Sequence, residues 1–412
     1  MDAVDPSRLV QHAFARGVLP QRGRDTTVVA AGKAAWLMAH AVANYAPGSV
    51  TRGLIAGPRA GSTAQPPGLQ WYDAGHPYPN EASVAAGRHA LRLAAECRQR
   101  RETLVVLLSG GASAMLASPA AELTIEDKQA TGRAVMQAGF AIDRLNCVRK
   151  HLSDVKGGRL AAAAGRVLTM VISDVHGPVP NDPSVIGSGP TVPDPTTFED
   201  ALEIVRKVPA VPGRVRQHLE RGAKGRLPET IKPGDPRLEE LQYEIIGDRT
   251  TALDGARRAA EALNYRVIVF EEPTTGEARD AARDFLRRAE RAAERGRRAC
   301  ILAAGETTVT VAGNGQGGRN QEFVLAAVPA LAALEREAVL ASVGTDGVDG
   351  PTDAGGAVAD PNTLARARDA QLDWYSTLTN NDAYHFFEPL GDLIAWGPTG
   401  TNVGDVQLLL ID

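Results

Sequence analysis

A strand, a glycine-rich loop and a helix start follow one another between residues 305 and 322, and together they could bind an anion. The run from Thr307 to Val311 alternates β-branched residues and is typical of a strand. A helix rich in alanine and leucine is predicted from about Asn320, and Arg319 at its start has a planar guanidinium that suits a phosphate or carboxylate. Free backbone N–H groups and the positive helix end would converge on the loop glycines, which are Gly313, Gly315, Gly317 and Gly318. The structural alternative is a turn with an exposed arginine.

Two other predicted strands are also followed by residues that could bind an anion. The buried strand from Thr26 to Ala31 is followed by Gly32 and Lys33, and α/β folds place ligands at such carboxyl ends. The apolar run from Thr103 to Leu108 leads into small and hydroxyl residues that let a nucleotide phosphate approach the backbone: Ser109, Gly110, Gly111 and Ser113. Close packing of helix on strand would use the same glycines, so both interpretations stay open.

A dense group of cations lies between residues 145 and 160 of this weakly acidic chain. Arg149, Lys150 and Lys156 alternate there with polar residues and glycines, which favours a shaped pocket for the anionic group of a substrate. A solvated helix face is the alternative use of such a charge run.

Three aspartates follow predicted strands and are candidates for magnesium ligands. Asp174 comes directly after the buried strand from Val167 to Ile172, where a metal ligand or a general base would sit, and Asp182 lies in the long loop beyond it. Asp346 belongs to a glycine-rich run whose spacing is not that of an EF-hand, and turn-forming Asp-Gly pairs explain that run equally well.

Composition excludes several classes of protein. A net charge of −4 over 412 residues leaves no electrostatic footprint for nucleic acid. No apolar run approaches the roughly 20 residues that span a bilayer. The three separated cysteines and the lack of a signal peptide predict a soluble, cytoplasmic protein. Whether it forms a homo-oligomer is left open.

Strands that alternate with helices predict an α/β fold with largely parallel sheets. The length favours two α/β domains, with the active site in the cleft between them. A stretch of proline, glycine and charge up to Pro236 is the best linker candidate, which gives domains of residues 1–235 and 236–412.

Phosphoryl transfer is the reaction that these parts serve best, because it needs cations, magnesium and in-line positioning rather than covalent chemistry. Hydride transfer is the rival, since Gly313, Gly315 and Gly318 satisfy G-x-G-x-x-G after a predicted strand. Against that rival, the acid at the end of the next strand is Asp346, well beyond the roughly 20 positions expected. A non-catalytic anion-binding module is a third, less favoured reading.

The motifs together resemble the class II glycerate 2-kinase family over nearly the whole chain. The resemblance to its N-terminal glycerate kinase domain rests on Ala31-Gly32-Lys33, Leu108-Ser109-Gly110-Gly111, Arg149-Lys150-His151, Ser173-Asp174-Val175 and Gly187-Ser188-Gly189-Pro190. The resemblance to its C-terminal MOFRL domain, about residues 298–408, rests on Gly305-Glu306-Thr307, Gly317-Gly318-Arg319-Asn320-Gln321-Glu322, Gly344-Thr345-Asp346-Gly347 and Gly397-Pro398-Thr399-Gly400.

The resemblance implies phosphorylation of D-glycerate at its 2-hydroxyl by ATP and Mg²⁺, giving 2-phospho-D-glycerate. It also implies a Rossmann-like N-terminal domain, and it matches Lys33 and Arg319 to the lysine and arginine of the family's cleft. Relatives have carried a hydroxypyruvate reductase label as well, which coincides with the hydride-transfer alternative.

Our mechanistic hypothesis goes beyond this resemblance. Lys33 and Arg319 would flank the γ-phosphoryl group, and Asp174 would bind magnesium or accept the hydroxyl proton. The remaining roles are nucleotide binding by Ser109, Gly110, Gly111, Ser113, Gly315, Gly317 and Gly318, substrate binding by Arg149, Lys150, Lys156 and Asn320, and metal binding by Asp174, Asp182 and Asp346.

Overall fold

A computed structural model describes residues 1–18, 25–45, 48–61, 63–294 and 296–412 of the chain. These residues form two compact units, of which one spans Pro6–Ile246. The other comprises Gly247–Asp412 together with the first residues, Met1–Asp5. The division after Ile246 lies beyond the predicted 235/236 boundary, because the strand Leu241–Gly247 pairs in the sheet of the first unit rather than opening the second.

The sheet of the first unit has the strand order β3-β2-β1-β4-β5-β6 among the described residues. Its strands are β1 Thr26–Ala31, β2 Val50–Ala56, β3 Leu69–Tyr72, β4 Leu104–Leu108, β5 Val167–Ile172 and β6 Leu241–Gly247. The pairs β1–β2, β2–β3, β1–β4 and β4–β5 are parallel. All residues of β1, β4 and β5 are buried, as expected for strands covered on both faces. The predicted Rossmann-like, parallel α/β domain is confirmed, and its strand order reverses between β1 and β4.

The helices of the first unit follow the strands of this sheet or lie in the long segments between them. Several begin at side-chain caps; for example, Asn80, Thr124 and Thr197 each accept a backbone N–H in a capping box. Their bounds are α1 Pro6–Ala15, α2 Ala35–Tyr45, α3 Glu81–Arg100, α4 Ala112–Met115, α5 Ile125–Gln137, α6 Ile142–His151, α7 Arg159–Ala164, α8 Phe198–Arg206 and α9 Gly213–Ala223.

The second unit is also α/β, but its sheet is mixed, which corrects the prediction of largely parallel sheets. Its strands are β7 Arg266–Val269, β8 Thr274–Glu277, β9 Ala299–Thr308, β10 Ala338–Gly344, β11 Gly356–Ala359, β12 Leu393–Ile394 and β13 Asp405–Ile411. The order is β12-β11-β10-β13-β9-β7, with β8 paired to β9. Four pairs are antiparallel, β10–β11, β10–β13, β11–β12 and β13–β9, because the closing strand β13 inserts between β9 and β10.

Strand β9 differs in its bounds from the strand that the sequence predicts from Thr307 to Val311. That prediction is wrong in its bounds, because the strand begins at Ala299 and continues without a break through Gly305 to Thr308. Gly305 reads as a strand end, yet it is needed here for close packing: a Cβ atom would lie 2.1 Å from the Thr274 carbonyl oxygen of β8.

Helices of the second unit pack on this sheet around a core that contains Phe285, Phe323 and Phe387. Their bounds are α10 Arg249–Ala262, α11 Ala278–Ala292, α12 Arg319–Ala332, α13 Thr363–Asp369, α14 Trp374–Thr379 and α15 Ala383–Phe387. Among the described residues, no helix combines the length and the apolar character that a membrane crossing requires.

Candidate functional site

The turn after β1 and the loop after β4 meet where the strand order of the first sheet reverses. The backbone N–H of Lys33 donates to the Gly110 carbonyl oxygen at 2.8 Å, and the N–H of Ala34 donates to Ser109 Oγ at 2.9 Å. Gly32 has φ +120°, and a Cβ atom there would lie 2.3 Å from Ser109 Oγ. Only glycine fits this close approach, so the sequence brings two predicted ligand-binding motifs, Lys33 and the Ser109–Gly110 loop, into direct contact.

Lys156 stabilises the Ser109–Ser113 loop through hydrogen bonds to Ser113. Its ammonium donates to the Ser113 carbonyl oxygen at 2.8 Å, to Ser113 Oγ at 3.1 Å and to the Gly187 carbonyl oxygen at 3.0 Å. Ser113 Oγ also lies 2.8 Å from Ser188 Oγ. Burial and the nearby charges of Lys128 and Arg149 hold the pKa of Lys156 well below its usual value. All three ammonium hydrogens have protein acceptors, which argues against the predicted contact of Lys156 with the substrate carboxylate.

A cavity of about 380 Å³ opens beside the Gly111–Ser113 turn, between α5, α6 and the turn at residues 76–79. The charged side chains that line it in the described part of the chain are all basic: Lys128, Arg133, Arg149 and Lys156. The Arg149 guanidinium makes no hydrogen bond or ion pair with any described residue, and burial lowers its pKa. Such a pocket of cations without a carboxylate is suited to an anionic ligand.

Lys128 was missed by the sequence analysis, because a single lysine on an ordinary helix carries no motif. Its Nζ donates to the Leu152 carbonyl oxygen at 2.9 Å, which leaves two hydrogens directed elsewhere. Burial, followed by the charge of Arg149, lowers the pKa of Lys128 to about 7, although Asp154 acts in the opposite direction.

Lys150 is directed away from this cavity, although it follows Arg149 in the chain. Its Nζ lies 3.3 Å from Oδ1 of Asp194, and both side chains are buried. Neighbouring positions on a helix face different directions, so α6 presents Arg149 to the cavity and Lys150 to its ion pair. This arrangement does not bring the two predicted substrate cations together.

The three predicted metal ligands belong to two different units, with Asp174 and Asp182 in the first and Asp346 in the second. Asp182 Oδ1 accepts the Ser184 N–H at 2.8 Å, and Asp346 Oδ1 accepts the Val348 N–H at 3.2 Å, so both carboxylates shape their own turns. Asp174 follows β5 in the first unit and is partly exposed, whereas Asp346 belongs to the second unit. Across the described ranges, no three His, Cys, Asp or Glu side chains form a group that could hold a metal ion.

The glycine loop before α12 donates its N–H groups to the segment at residues 380–382. Ala312 and Gly313 donate to Asn381 Oδ1 at 2.8 and 3.0 Å. The next three donors are Asn314 to Asn380 Oδ1, Gly315 to the Asn380 carbonyl oxygen, and Gln316 to Asp382 Oδ1. These backbone groups are therefore not directed at a ligand, which argues against nucleotide binding by Gly315 and its neighbours.

The anion predicted at the start of α12 is a carboxylate of the chain itself, that of Asp349. Its Oδ1 accepts the Asn320 N–H at 3.0 Å and its Oδ2 accepts the Gln321 N–H at 2.8 Å. Burial raises the pKa of Asp349 to about 6 against these hydrogen bonds. A Cβ atom on Gly318 would lie 2.3 Å from the Asp349 carboxyl carbon, and the Gly317 carbonyl oxygen packs against Gly350. Close packing on an internal cap therefore accounts for both glycines, and the nucleotide role of Gly317 and Gly318 stays a prediction.

Asn320 is part of this cap rather than a substrate-binding surface. It is 1% exposed. Its Nδ2 donates to Asp349 Oδ1 at 3.2 Å, and its Oδ1 accepts the Ser342 hydroxyl at 2.6 Å. These contacts argue against substrate binding by Asn320, and that role stays a prediction.

Arg319 is held in one orientation by two carboxylates. Its Nε and Nη2 bind Asp405 in a bidentate pair at 2.6 and 2.9 Å, and Nη1 donates to Glu306 Oε1 at 2.7 Å. Burial alone would lower the pKa of Arg319, but the hydrogen bonds and charge of Asp405 and the charge of Glu306 raise it. The side chain is 30% exposed and has five N–H donors, so two remain for a ligand.

The surroundings of α12 also differ from those of a dinucleotide-binding unit. Such a unit needs two adjacent parallel strands joined by the helix. Here β13 lies between β9 and β10 and is antiparallel to both. The G-x-G-x-x-G pattern therefore occurs without the strand–helix–strand context that gives it meaning.

Comparisons with known proteins match separate families to the N-terminal and C-terminal parts of the chain, as the motifs predict. The family described as "Domain of unknown function (DUF4147)" matches residues 1–220, and the MOFRL family matches residues 299–405. The chain is 35% identical to "D-glycerate 2-kinase" of Thermotoga maritima, over 100% of this chain and 95% of that protein. It is 38% identical to "Putative hydroxypyruvate reductase" of Agrobacterium vitis, over 95% and 89%.

A solved structure is similar over the same length. The crystal structure of glycerate kinase from Thermotoga maritima superimposes with a TM-score of 0.88 at 34% identity, covering 100% of this chain and 96% of that chain. The matched domain families and these full-length relatives identify the chain as a member of the class II glycerate 2-kinase family.

Proposed function

We propose that this protein transfers the γ-phosphoryl group of ATP to the 2-hydroxyl group of D-glycerate. The observation that carries the proposal is the contact between the Gly32–Lys33 turn and the Ser109–Ser113 loop at the reversal of strand order. In such sheets this position receives the ligand, and the acid-free cationic cavity adjoins the same loop. The D-glycerate 2-kinase of Thermotoga maritima, at 35% identity, supplies the substrate class.

In this proposal Lys33 stabilises the charge that spreads over the transferring phosphoryl group. Phosphoryl transfer needs little covalent participation by the protein, so positioned charges and backbone donors provide most of the rate enhancement. The Ser109–Ser113 loop would bind the nucleotide phosphates. Arg319, with two N–H donors to spare, would supply a second positive charge, as the family resemblance implies.

Magnesium is assigned to the nucleotide substrate rather than to a resident site. Mg²⁺ in kinases is commonly bound by one or two carboxylates and the substrate phosphates, so a cage of three protein ligands is not required. Asp174, at the carboxyl end of β5, is our choice for the carboxylate that binds it or accepts the 2-hydroxyl proton. Asp182 and Asp346 hold local turns and are less suited to either role.

No contact of the described residues supports the hydroxypyruvate reductase alternative in the way that the contact between the Lys33 turn and the Ser109–Ser113 loop supports the kinase. Its cofactor would need the glycine loop before α12, whose N–H groups donate to residues 380–382 and whose helix start is capped by Asp349. The hydroxypyruvate reductase name of one relative is therefore not transferred to this chain. A cytoplasmic location and the oligomeric state stay predictions.

The regiochemistry of the product tests the proposal. Purified protein is incubated with D-glycerate, ATP and magnesium, and the product is detected with enolase and no phosphoglycerate mutase, since enolase accepts 2-phosphoglycerate directly. We expect a full signal without the mutase. A signal that depends on added mutase would mean phosphorylation at the 3-hydroxyl and would contradict the proposal, as would the absence of ADP formation.

A further inference from the structure

We propose that the cavity between α5, α6 and the 76–79 turn is the carboxylate-binding half of the acceptor site, with Arg149 and Lys128 as its ligands for the carboxylate. This inference rests on the proposed function, because it names the group of glycerate that the cavity receives. It adds Lys128, a residue outside every motif that the sequence analysis singled out.

The shape of the cavity agrees with this role. Its wall includes Gly111 and Ser113, which belong to the same loop as Gly110, and Gly110 accepts the Lys33 N–H at 2.8 Å. A small acid bound here would therefore lie beside that loop. The lining also contains apolar side chains such as Val148 and Leu152, which would limit the access of water to the ion pair and strengthen it.

The hydrogen-bonding capacity of the two cations agrees as well. Arg149 makes no hydrogen bond or ion pair with the residues that the structure describes, so its planar fork can bind both oxygens of a carboxylate. Lys128 Nζ is held by the Leu152 carbonyl oxygen and keeps two hydrogens. The other basic groups are less suitable, because Lys156 has its hydrogens bound to the loop and Arg133 is exposed beside Tyr78 at the rim.

The charge of the site suits a monocarboxylate better than a nucleotide. The charged groups that act on Lys128 are Arg149 from α6 and Asp154 and Lys156 from the segment after it, and His76 and Arg133 line the same cavity. Because burial and the charge of Arg149 lower the pKa of Lys128, the unliganded pocket carries less positive charge at neutral pH than its residue types suggest. One carboxylate compensates that charge, whereas the polyphosphate of ATP would bring several negative charges.

Substitutions by methionine test the assignment, since methionine keeps the length of the side chain and removes the charge. Lys128→Met and Arg149→Met should each raise KM for D-glycerate about 10-fold to 100-fold, the equivalent of one charge-assisted hydrogen bond. KM for ATP should change by less than about twofold. The exposed Lys224→Met variant is the matched control and should keep both values.

Stability separates a ligand-binding role from a structural one. Lys128 and Arg149 are partly buried, and their positive charges repel each other in the unliganded fold, so neither substitution should lower the melting temperature. D-glycerate should raise the melting temperature of the wild type and of Lys224→Met, but not that of Lys128→Met. A general loss of stability in the two pocket variants would indicate a structural role and overturn the proposal.

The pH dependence gives a second, independent readout. A bound carboxylate favours protonated Lys128, so affinity is full below about pH 7 and falls as the pH rises, by up to about tenfold per pH unit. KM for D-glycerate should rise accordingly in the wild type. Lys128→Arg keeps its charge and should flatten this rise at a low KM, whereas Lys128→Met should flatten it at a high KM.

Three further results would overturn the inference. A rise in KM for ATP instead of D-glycerate would assign the cavity to the nucleotide, and unchanged kinetics in both pocket variants would leave it without a role. If the wild type transfers no phosphoryl group, the proposed function is wrong, but the inference about the cavity can still be tested. Calorimetric titration with D-glycerate then measures binding to the cavity without any reaction. Equal binding by wild type and Lys128→Met in that titration would be the third contradicting result.

Discussion

The two strand–glycine loop–helix junctions of this protein look alike in sequence and differ in how their charge is balanced. After β9, the loop donates to residues 380–382, and the start of α12 is capped by the Asp349 carboxylate. After β4, the loop binds the Lys33 turn, and the adjoining cavity contains cations with no carboxylate among its described lining residues. A carboxylate of the chain itself caps the first junction, whereas the described residues that line the cavity beside the second include no carboxylate.

The difference teaches that a glycine loop alone does not define an anion site. Its meaning depends on whether a distant residue supplies the anion, and Asp349 lies 29 positions after Asn320 in the chain. Arg319 combines features of both junctions. Two carboxylates of the chain bind its guanidinium, yet two of its N–H donors remain for a ligand.

The largest effect is expected at the junction where the Lys33 turn meets the Ser109–Ser113 loop. Lys33→Met should lower kcat by about 10²–10³, the usual loss when one preorganised charge donor is removed. Lys224→Met, an exposed lysine, serves as the control and should keep wild-type kcat. Near-full kcat/KM in folded Lys33→Met protein would exclude Lys33 from catalysis.

Arg319 tests whether its two carboxylates position a catalytic group or merely stabilise the fold. Arg319→Met should lower kcat by a similar factor, and it also leaves the fully buried Asp405 unpaired, at a cost of about 3–5 kcal/mol. Adding Asp405→Asn removes that buried charge, so the double variant should recover stability in chemical denaturation. If the double variant also recovered kcat, the role of Arg319 would be structural alone.

The Asp349 cap at the start of α12 should make the stability of the protein depend on pH. The pKa of Asp349 is about 6 in the fold, above the usual value for aspartate of 3.8, so the folded protein holds this proton more tightly than the unfolded chain does. Its contribution is therefore full below about pH 4 and is lost as the pH rises through 6, by about 2–3 kcal/mol.

Urea denaturation at several pH values measures this contribution as the difference between wild type and Asp349→Asn. The difference should fall between pH 4 and pH 7 and then stay level. A constant difference would mean that the cap holds no excess proton, and a rise with pH would reverse the proposed balance between burial and hydrogen bonding.

The smallest effect is expected at the glycine loop. Asp382→Ala removes the acceptor of the Gln316 N–H and should lower the free energy of unfolding by about 1 kcal/mol. KM for ATP should stay the same, because the loop is proposed to bind residues 380–382 rather than phosphate. A large rise in KM for ATP without loss of stability would contradict this comparison of the two junctions.

The sequence predicts local elements and the first sheet well, because β1, β4 and β5 are continuous apolar runs followed by glycines. It fails where the answer depends on distant partners. The antiparallel insertion of β13 carries no local signal, since its burial alternates in a way that either strand direction permits.

The same limit applies to the candidate site. The proximity of Lys33 to the Ser109–Gly110 loop depends on the pairing of β1 with β4, which the apolar runs do not specify. Lys150 pairs with Asp194 and Asn320 donates to Asp349, and these partners lie 44 and 29 positions away in the chain. No local sequence pattern contains such distant partners. Lys128 was missed for the same reason.

The most direct test of the account compares phosphoryl and hydride transfer on one preparation of the purified protein. One reaction contains D-glycerate, ATP and magnesium, and the other contains hydroxypyruvate with NADH or NADPH. The account predicts ADP and 2-phosphoglycerate in the first reaction and no oxidation of the nicotinamide in the second. Oxidation of the nicotinamide without phosphoryl transfer would mean that the loop before α12 binds a dinucleotide, and it would contradict both the proposed function and the contrast between the two junctions.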